Sequence, residues 1–458
     1  MPEFETLING GRALVAGVLE PTDLLIDGGR IVALFAPGTA PVAQKTIDAT
    51  GKVVLPGIID THAHTRDPGL TQKEDFYTAS QAAAAGGVTT IIDMPNVEPP
   101  TVTLEQFLEK REDAGRKSIV DYGHWVGGVN PVEITKMAEA GATGYKIFQV
   151  SGAYPHDPRL AINDDGKMLQ SFRAVADTGL PLLVHPFNQS LFEQLSADRL
   201  AAGEPSNWET FSSVYTTDAI WRTAVNSLIA LQELSGVRLQ LLHTHSGGSL
   251  KLIRAAKERG QRITASIDPK YYHLDLADLR RLTGRIAPAG FVPEDEERMA
   301  EIWRSLNDGT IDMIDSDHAP HTLEEIKQQD IDAWDAAMGS PQYDWQYSMM
   351  LTDVADGHLT LARAVELLAE APAKLLGIFP RKGALLPGSD ADLVIVDLER
   401  QTTLTDDGLY TKAGWTPYLG RTVTGYVEHT MLRGTSISIN REVIGQAGFG
   451  DYIEGVAQ

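Results

Sequence analysis

The sequence predicts a (β/α)8 barrel with a small β-sandwich beside it, and three observations carry that prediction. Eight apolar runs with strand character alternate with longer helical stretches between residues 56 and 379. Strand-rich segments with Gly turns flank them, over residues 1–55 and 380–440. Side chains able to hold a metal stand at the ends of five of the eight runs, the edge where such a barrel carries its chemistry.

The first segment reads as short strands and turns. Residues 22–27 and 30–34 flank Gly28-Gly29, which predicts a hairpin with a Gly turn. From Pro56 the pattern changes. Apolar runs near 57–62, 88–94, 119–127, 143–148, 181–186, 237–243, 262–267 and 311–317 now alternate with helical stretches such as 78–85, 132–140, 168–178 and 249–259. That alternation implies a parallel sheet, and eight such units close a barrel. A helical section at 360–376 follows, and strands return at 392–397, 423–427 and 429–434. Neither terminal segment is long enough to bury a core alone. Residues 1–55 and 380–440 are therefore expected to form one sandwich. The tail, 441–458, shows no clear pattern and is expected to dock on a neighbouring subunit.

At 458 residues the chain can bury a large core, and its 43% apolar and 22% charged residues are those of an ordinary globular protein. The net charge of −23 argues against nucleic acid and anionic membrane surfaces as partners. There is no cysteine, so disulfides and thiolate metal sites are excluded, and a metal must be held by His, Asp, Glu or a modified Lys. The start, Met1-Pro2-Glu3-Phe4-Glu5-Thr6, lacks a charged and then apolar leader, and no apolar run reaches the ~18 residues of a spanning helix. A cytoplasmic enzyme is expected.

The metal-ligating residues follow one rule. His62 and His64 lie in Asp60-Thr61-His62-Ala63-His64, just after the first barrel run. On a strand, residues two apart point to one face, so both rings can bind one ion, and imidazole suits zinc and its first-row neighbours. Lys146, His185, His243 and Asp317 end four further runs. A lone His-x-His is weak evidence, but the same placement on five strands is hard to produce by chance.

These residues sit in longer motifs: Pro56-Gly57-Ile58-Ile59-Asp60-Thr61-His62-Ala63-His64, Ala85-Gly86-Gly87-Val88-Thr89-Thr90, Met94-Pro95-Asn96, Tyr145-Lys146-Ile147-Phe148, Leu183-Val184-His185, Ser316-Asp317-His318-Ala319-Pro320-His321 and Gly388-Ser389-Asp390-Ala391-Asp392-Leu393. With them the chain resembles, over nearly its whole length, the amidohydrolase superfamily, and within it the cyclic-amidase branch of dihydroorotases, allantoinases and hydantoinases. The resemblance implies two divalent metal ions, zinc or a close relative, bridged by Lys146 carboxylated on its amine. His62, His64 and Asp317 would complete one site, and His185 and His243 the other. Charge supports the carbamate independently, because a free ammonium beside two divalent cations is repelled. Of His243 and His245, the following Ser246-Gly247-Gly248-Ser249 matches best with His243 as ligand. His318 and His321 are expected behind the ligands or against the substrate. His124, His156, His273, His358 and His429 read as structural or surface residues.

The expected reaction is hydrolysis of a cyclic amide C–N bond, with Asp317 both ligating and shuttling a proton, and with no organic cofactor. Arg66 and Asn96 resemble the dihydroorotase pair that holds the substrate carboxylate, a role that suits the planar guanidinium fork, and Lys73-Glu74-Asp75-Phe76 points the same way. The competing reading of Arg66 is a local ion pair with Asp67 or Glu74. The expected substrate-binding set is Arg66, Asn96 and His321, on a dihydroorotase-like, carboxylate-bearing ring. Departures at His185-Pro186-Phe187-Asn188, Ser266, Ile286-Ala287-Pro288 and Tyr343-Asp344-Trp345-Gln346 leave the metal ligands intact but weigh against dihydroorotate itself. Thr416-Pro417-Tyr418-Leu419-Gly420 is closer to allantoinases. The alternatives are therefore an allantoinase, a hydantoinase or dihydropyrimidinase, and a cyclic imidase. A catalytically silent scaffold is the non-enzymatic alternative, and the complete ligand set argues against it. The resemblance further implies a homo-oligomer, dimer or tetramer, acting on a small molecule.

Overall fold

The computed structural model describes residues 4–151, 157–282, 295–328, 333–334 and 338–458. His156 and the segment Ile286-Ala287-Pro288 lie outside the described residues.

Eight parallel strands form the barrel, in chain order: Ile58–Ala63, Val88–Asp93, Asp121–Gly127, Gly144–Phe148, Pro181–His185, Arg238–Leu241, Ile263–Ile267 and Met313–Ile314. Each pairs with its sequence neighbour. The ring is closed between the last and first strands by a parallel bridge of Ala63 with His318, where the His64 amide donates to the His318 carbonyl at 2.7 Å. The strands are almost wholly buried, as expected when helices cover one face and barrel side chains fill the other. Asp75 caps the helix Phe76–Gly86 in a reciprocal capping box with Thr78.

The first strand leaves the sandwich at Gly57. A Cβ there would come within 2.4 Å of the Thr89 side chain, so only glycine lets the first two barrel strands approach. Immediately before it, Val53–Pro56 belongs to the neighbouring sheet.

That sheet has seven strands, in the order Glu442–Val443, Thr435–Ile439, Thr422–Leu432, Leu393–Thr403, Val53–Pro56, Arg12–Val15 and Val18–Pro21. A second sheet, Arg30–Phe35, Asp23–Asp27, Phe4–Asn9 and Ala43–Asp48, comes entirely from the N-terminal segment. Ile8, Leu24, Ile26 and Ile31 of the smaller sheet share one apolar core with Val54, Leu393, Ile395 and Met431 of the larger. The hairpin at Gly28-Gly29 has both glycines in the left-handed region, φ 56° and 76°, as a tight two-residue turn requires.

Three features differ from the sequence reading. The crossover from fifth to sixth strand carries three helices, Gln189–Ala201, Trp208–Tyr215 and Asp218–Ser235, where no helix was singled out. The first of them buries only Ser196 fully, so its apolar stripe is faint. The sixth and eighth strands end early, at Leu241 and Ile314. His243 and Asp317 therefore stand just beyond their strands. The tail, which showed no pattern in the sequence, docks on its own barrel. Tyr452 bridges Tyr122, the Ile453 amide donates to the Tyr122 carbonyl at 2.7 Å, and the Gln458 amide reaches the Gly179 carbonyl at 3.1 Å. Only Ile453 of this stretch is an aliphatic core residue, too little to show as a pattern. No helix of the described residues is long and apolar enough to cross a membrane.

Candidate metal centre

Four imidazoles and a carboxylate converge at the C-terminal mouth of the barrel. His62 and His64, two apart at the end of the first strand, project together, with ring centroids 5.3 Å apart. Nε2 of His62 lies 3.2 Å and Nε2 of His64 3.1 Å from the same Asp317 oxygen, Oδ1. His243 packs 5.0 Å from His62, and His185 packs 4.5 Å from His243, centroid to centroid. Donor atoms of His62, His64 and Asp317 fall within 4.8 Å of one another, and so do those of His62, His243 and Asp268.

Three of the seven non-glycine residues with positive φ among the described residues lie here. Arg66, His243 and Asp317 adopt φ of 64°, 55° and 43°. Non-glycine residues take this conformation at a cost of order 1–3 kcal/mol, typically where a site demands a particular aim. In each case the chain turns sharply just past a strand end, which re-aims the side chain.

Electrostatics suits ligation. Burial lowers the pKa of His62 well below its ordinary value and that of His64 to about 4, despite the neighbouring Asp317. Both rings are therefore neutral near pH 7, the form that binds metal. Burial alone would raise the Asp317 carboxyl, but Lys270, His62 and the hydrogen bond from His64 outweigh it and hold the group well below the usual range. Asp317 is thus a carboxylate. His243 Nδ1 sits 2.6 Å from Asp268 Oδ2. A carboxylate only accepts, so Nδ1 carries the proton and Nε2 is left with its lone pair toward the centre.

Lys146, on the fourth strand, is fully buried and its Nζ has no hydrogen-bond partner among the described residues. Burial pushes its pKa down to about 7, against the pull of Asp317, Asp315 and Asp268. Burial thus favours the neutral amine, the nucleophilic form needed to take up carbon dioxide. Nδ1 of His62 and of His64 are likewise buried without a partner. Polar atoms this far from water are normally satisfied, so this set of donors fits the binding of cations and a modified lysine.

The cavity over the centre is lined by His62, His64, His185, His243, Asp317 and Asn96. Its other walls are Phe148, Tyr215, Tyr271, Ala319 and Met338. Phe187 stands behind Tyr215 at 5.2 Å between rings and against Trp221 at 5.4 Å. The wall is mainly aromatic.

Arg66 and His321 are not brought into this lining. Arg66 is buried, its Nε donates to the Pro320 carbonyl at 3.0 Å, and its Nη2 lies 3.2 Å from His321 Nε2. His321 Nδ1 lies 3.3 Å from Lys73 Nζ, and Lys73 pairs with Glu325 at 2.7 Å. The local ion pairs expected for Arg66 fall elsewhere, since Asp67 pairs with Lys117 at 2.7 Å and Glu74 accepts from the Lys412 amide at 3.2 Å.

The remaining histidines have structural surroundings. His318 stacks on Tyr343 at 4.1 Å and its Nδ1 accepts from the Gln342 amide at 3.0 Å. His245 stacks on Tyr271 at 4.2 Å. His124 lies in a nest of Phe76, Phe107, Tyr122 and Tyr452. His273 pairs with Asp353 at 2.8 Å, and His429 with Ser436 at 2.7 Å. His358 stacks on Trp303 at 4.3 Å.

Sequence reasoning missed Asp268 and Lys270. The signal was present, because Asp268 follows the seventh strand by one residue, much the same placement that singled out His243 and Asp317. It also missed Tyr215 and Met338, which come from the crossover helix and a distant loop, and no local pattern marks them.

The chain matches the family model described as the amidohydrolase family over residues 53–437. It is 34% identical to an L-hydantoinase of Paenarthrobacter aurescens, with 98% of each chain covered. It is 32% identical to a dihydroorotase of Methanosarcina acetivorans, covering 99% of this chain and 96% of the other. A solved L-hydantoinase (dihydropyrimidinase) from Arthrobacter aurescens superposes with a TM-score of 0.93 at 34% identity, covering 98% and 100% of the two chains.

Proposed function

The chain belongs to the amidohydrolase family and is a cyclic amide hydrolase, and from that premise we propose that it opens a five-membered cyclic ureide, a hydantoin, carrying an apolar substituent, at a centre of two divalent ions. His62, His64 and Asp317 would hold one ion and His185 and His243 the other, with Lys146 as a carbamate between them. The observation that carries this reading is the convergence of four imidazoles and Asp317 at one cavity, beside a buried lysine amine with no partner among the described residues. When bound, such ions supply Lewis acidity at the ring carbonyl and lower the pKa of an attacking water to near neutrality.

This chain's residues do the rest. Asp317, held ionised, accepts the proton of the attacking water and returns it to the leaving ring nitrogen. Asp268 keeps His243 in one tautomer. Asn96 lines the cavity and offers an amide to a ring carbonyl or N–H. Phe148, Tyr215 and Tyr271 provide an apolar wall for a ring substituent and restrict water.

A carboxylate-bearing ring such as dihydroorotate is the second reading, and Asn96 at the cavity favours it. Arg66 speaks for the hydantoin instead, because it is committed to Pro320 and His321 behind the wall. A turnover panel separates them. 5-Benzylhydantoin should exceed dihydroorotate in kcat/KM by at least ~10-fold, the scale of a well-placed apolar contact; the reverse order returns the anionic ring to first place.

Arg66 gives a further expected outcome. Arg66→Met should cost about 1–3 kcal/mol of stability, measured by denaturant unfolding, because it strips the donor from a buried carbonyl. Turnover of charged and neutral rings should fall by similar factors. A loss confined to carboxylate-bearing rings would make Arg66 a substrate-binding residue.

A further inference from the structure

Lys270 is a buried cation outside the ligand set, and nothing in the reaction as derived so far uses it. Its side chain is only 4% exposed, it forms a close ion pair with Asp317 Oδ2, and it lies 3.6 Å from Asp268 Oδ2. It does not line the cavity, which Tyr271 closes on this side. Asp317 consequently presents Oδ1 on the side of the His62 and His64 rings, with which it would share an ion, and Oδ2 to the ammonium. Asp268, the counter-charge of that ammonium, is also the acceptor for His243. A continuous polar chain, His243–Asp268–Lys270–Asp317, therefore runs behind the centre and ties the sixth, seventh and eighth strand ends together.

We propose that Lys270 is a positioning residue: by clamping Asp317 Oδ2 it fixes the plane of the proton-shuttling carboxylate, and through Asp268 it couples that carboxylate to His243. The proposal rests on the assignment of Asp317 as shuttle. Burying an ammonium is costly unless it is paired, and this one is paired to two carboxylates that the chemistry uses and to no surface group. A carboxylate anchored through one oxygen alone can rotate about its Cβ–Cγ bond; an ion pair at the other oxygen restrains it. Small misplacements of a reacting group cost up to about 100-fold in rate. Ion binding is a separate matter. Lys270 brings a positive charge toward the centre, so its removal leaves attraction for divalent cations intact or stronger.

The test compares wild type, Lys270→Met, Lys270→Gln, Asp317→Asn and the double variant Lys270→Met/Asp317→Asn. Zinc content, zinc affinity against a chelator, and kcat and KM on 5-benzylhydantoin are measured for each. Lys270→Met should keep the wild-type zinc content at undiminished affinity and lose at least ~10-fold in kcat with little change in KM. Lys270→Gln, which retains an N–H donor, should recover part of that loss, and it serves equally if the Met variant does not fold. On the Asp317→Asn background Lys270→Met should add no further loss, because it acts through the carboxylate. Unchanged kcat in Lys270→Met, loss of zinc from it, or losses that multiply in the double variant would each overturn the proposal. An unchanged kcat in Asp317→Asn alone would instead overturn the shuttle assignment beneath it.

Discussion

Lys146→Ala should lose at least one divalent ion per chain and nearly all turnover, by more than the ~10–100-fold typical of removing a group behind a metal ligand. The fold should survive. Lys146 Nζ makes no hydrogen bond among the described residues, and its surroundings, Phe148 among them, are those of the barrel interior. Burial lowers its pKa to about 7, which raises the share of neutral amine able to become a carbamate. A carbamate supplies an oxygen to each of two cations, and alanine supplies none. A small carboxylic acid such as propionate should restore part of the activity by filling the space with an oxygen pair. Metal analysis and turnover with and without the acid check this. Full metal occupancy with normal turnover in Lys146→Ala would remove the carbamate from the mechanism.

Asp317→Asn should retain the fold and lower kcat by at least ~10²-fold, the scale of general acid–base catalysis. Asparagine keeps the size and one acceptor oxygen for the His62 and His64 rings, and Lys270 retains Asp268 at 3.6 Å. Measured together with metal content, the variant separates proton transfer from ion binding. The acidic limb of the pH profile should also change. Asp317 is held well below the ordinary carboxylate range, so wild type keeps an ionised shuttle into acid, and that dependence vanishes with the carboxyl. Steady-state kinetics across pH reads both effects. A kcat close to that of wild type would be incompatible with Asp317 moving the proton.

The barrel and the cluster of imidazoles and carboxylate at its mouth were legible because both follow from short-range periodicity. Parallel strands buried on both faces read as continuous apolar runs, and a polar residue toward or just beyond the C-terminal end of such a run is placed near the mouth. That logic places His62, His64, Lys146, His185, His243 and Asp317 without any long-range information. It does not reach Tyr215, which arrives from a helix between the fifth and sixth strands, or Met338. Nor does it show that Arg66, two residues past His64, turns at φ 64° and spends its guanidinium on Pro320 and His321. A sequence motif records which side chain follows a strand, whereas the direction of that side chain depends on the backbone turn. Lys270 was obscured for a related reason: an Asp-Pro-Lys segment reads as an ordinary loop until Asp317 and His243 are seen to flank it. The tail was illegible because its docking combines main-chain hydrogen bonds to Tyr122 and Gly179 with single side chains, Tyr452 and Ile453, too few to form a periodic pattern.

The measurement that decides whether these residues form a binuclear hydrolytic centre is metal content determined together with turnover on one preparation. Purified protein should hold two divalent ions per chain, the stoichiometry of a two-metal site. Chelation should abolish hydrolysis of 5-benzylhydantoin, and zinc should restore it in proportion to occupancy. Undiminished hydrolysis by chain stripped of metal would contradict the assignment of His62, His64, Lys146, His185, His243 and Asp317.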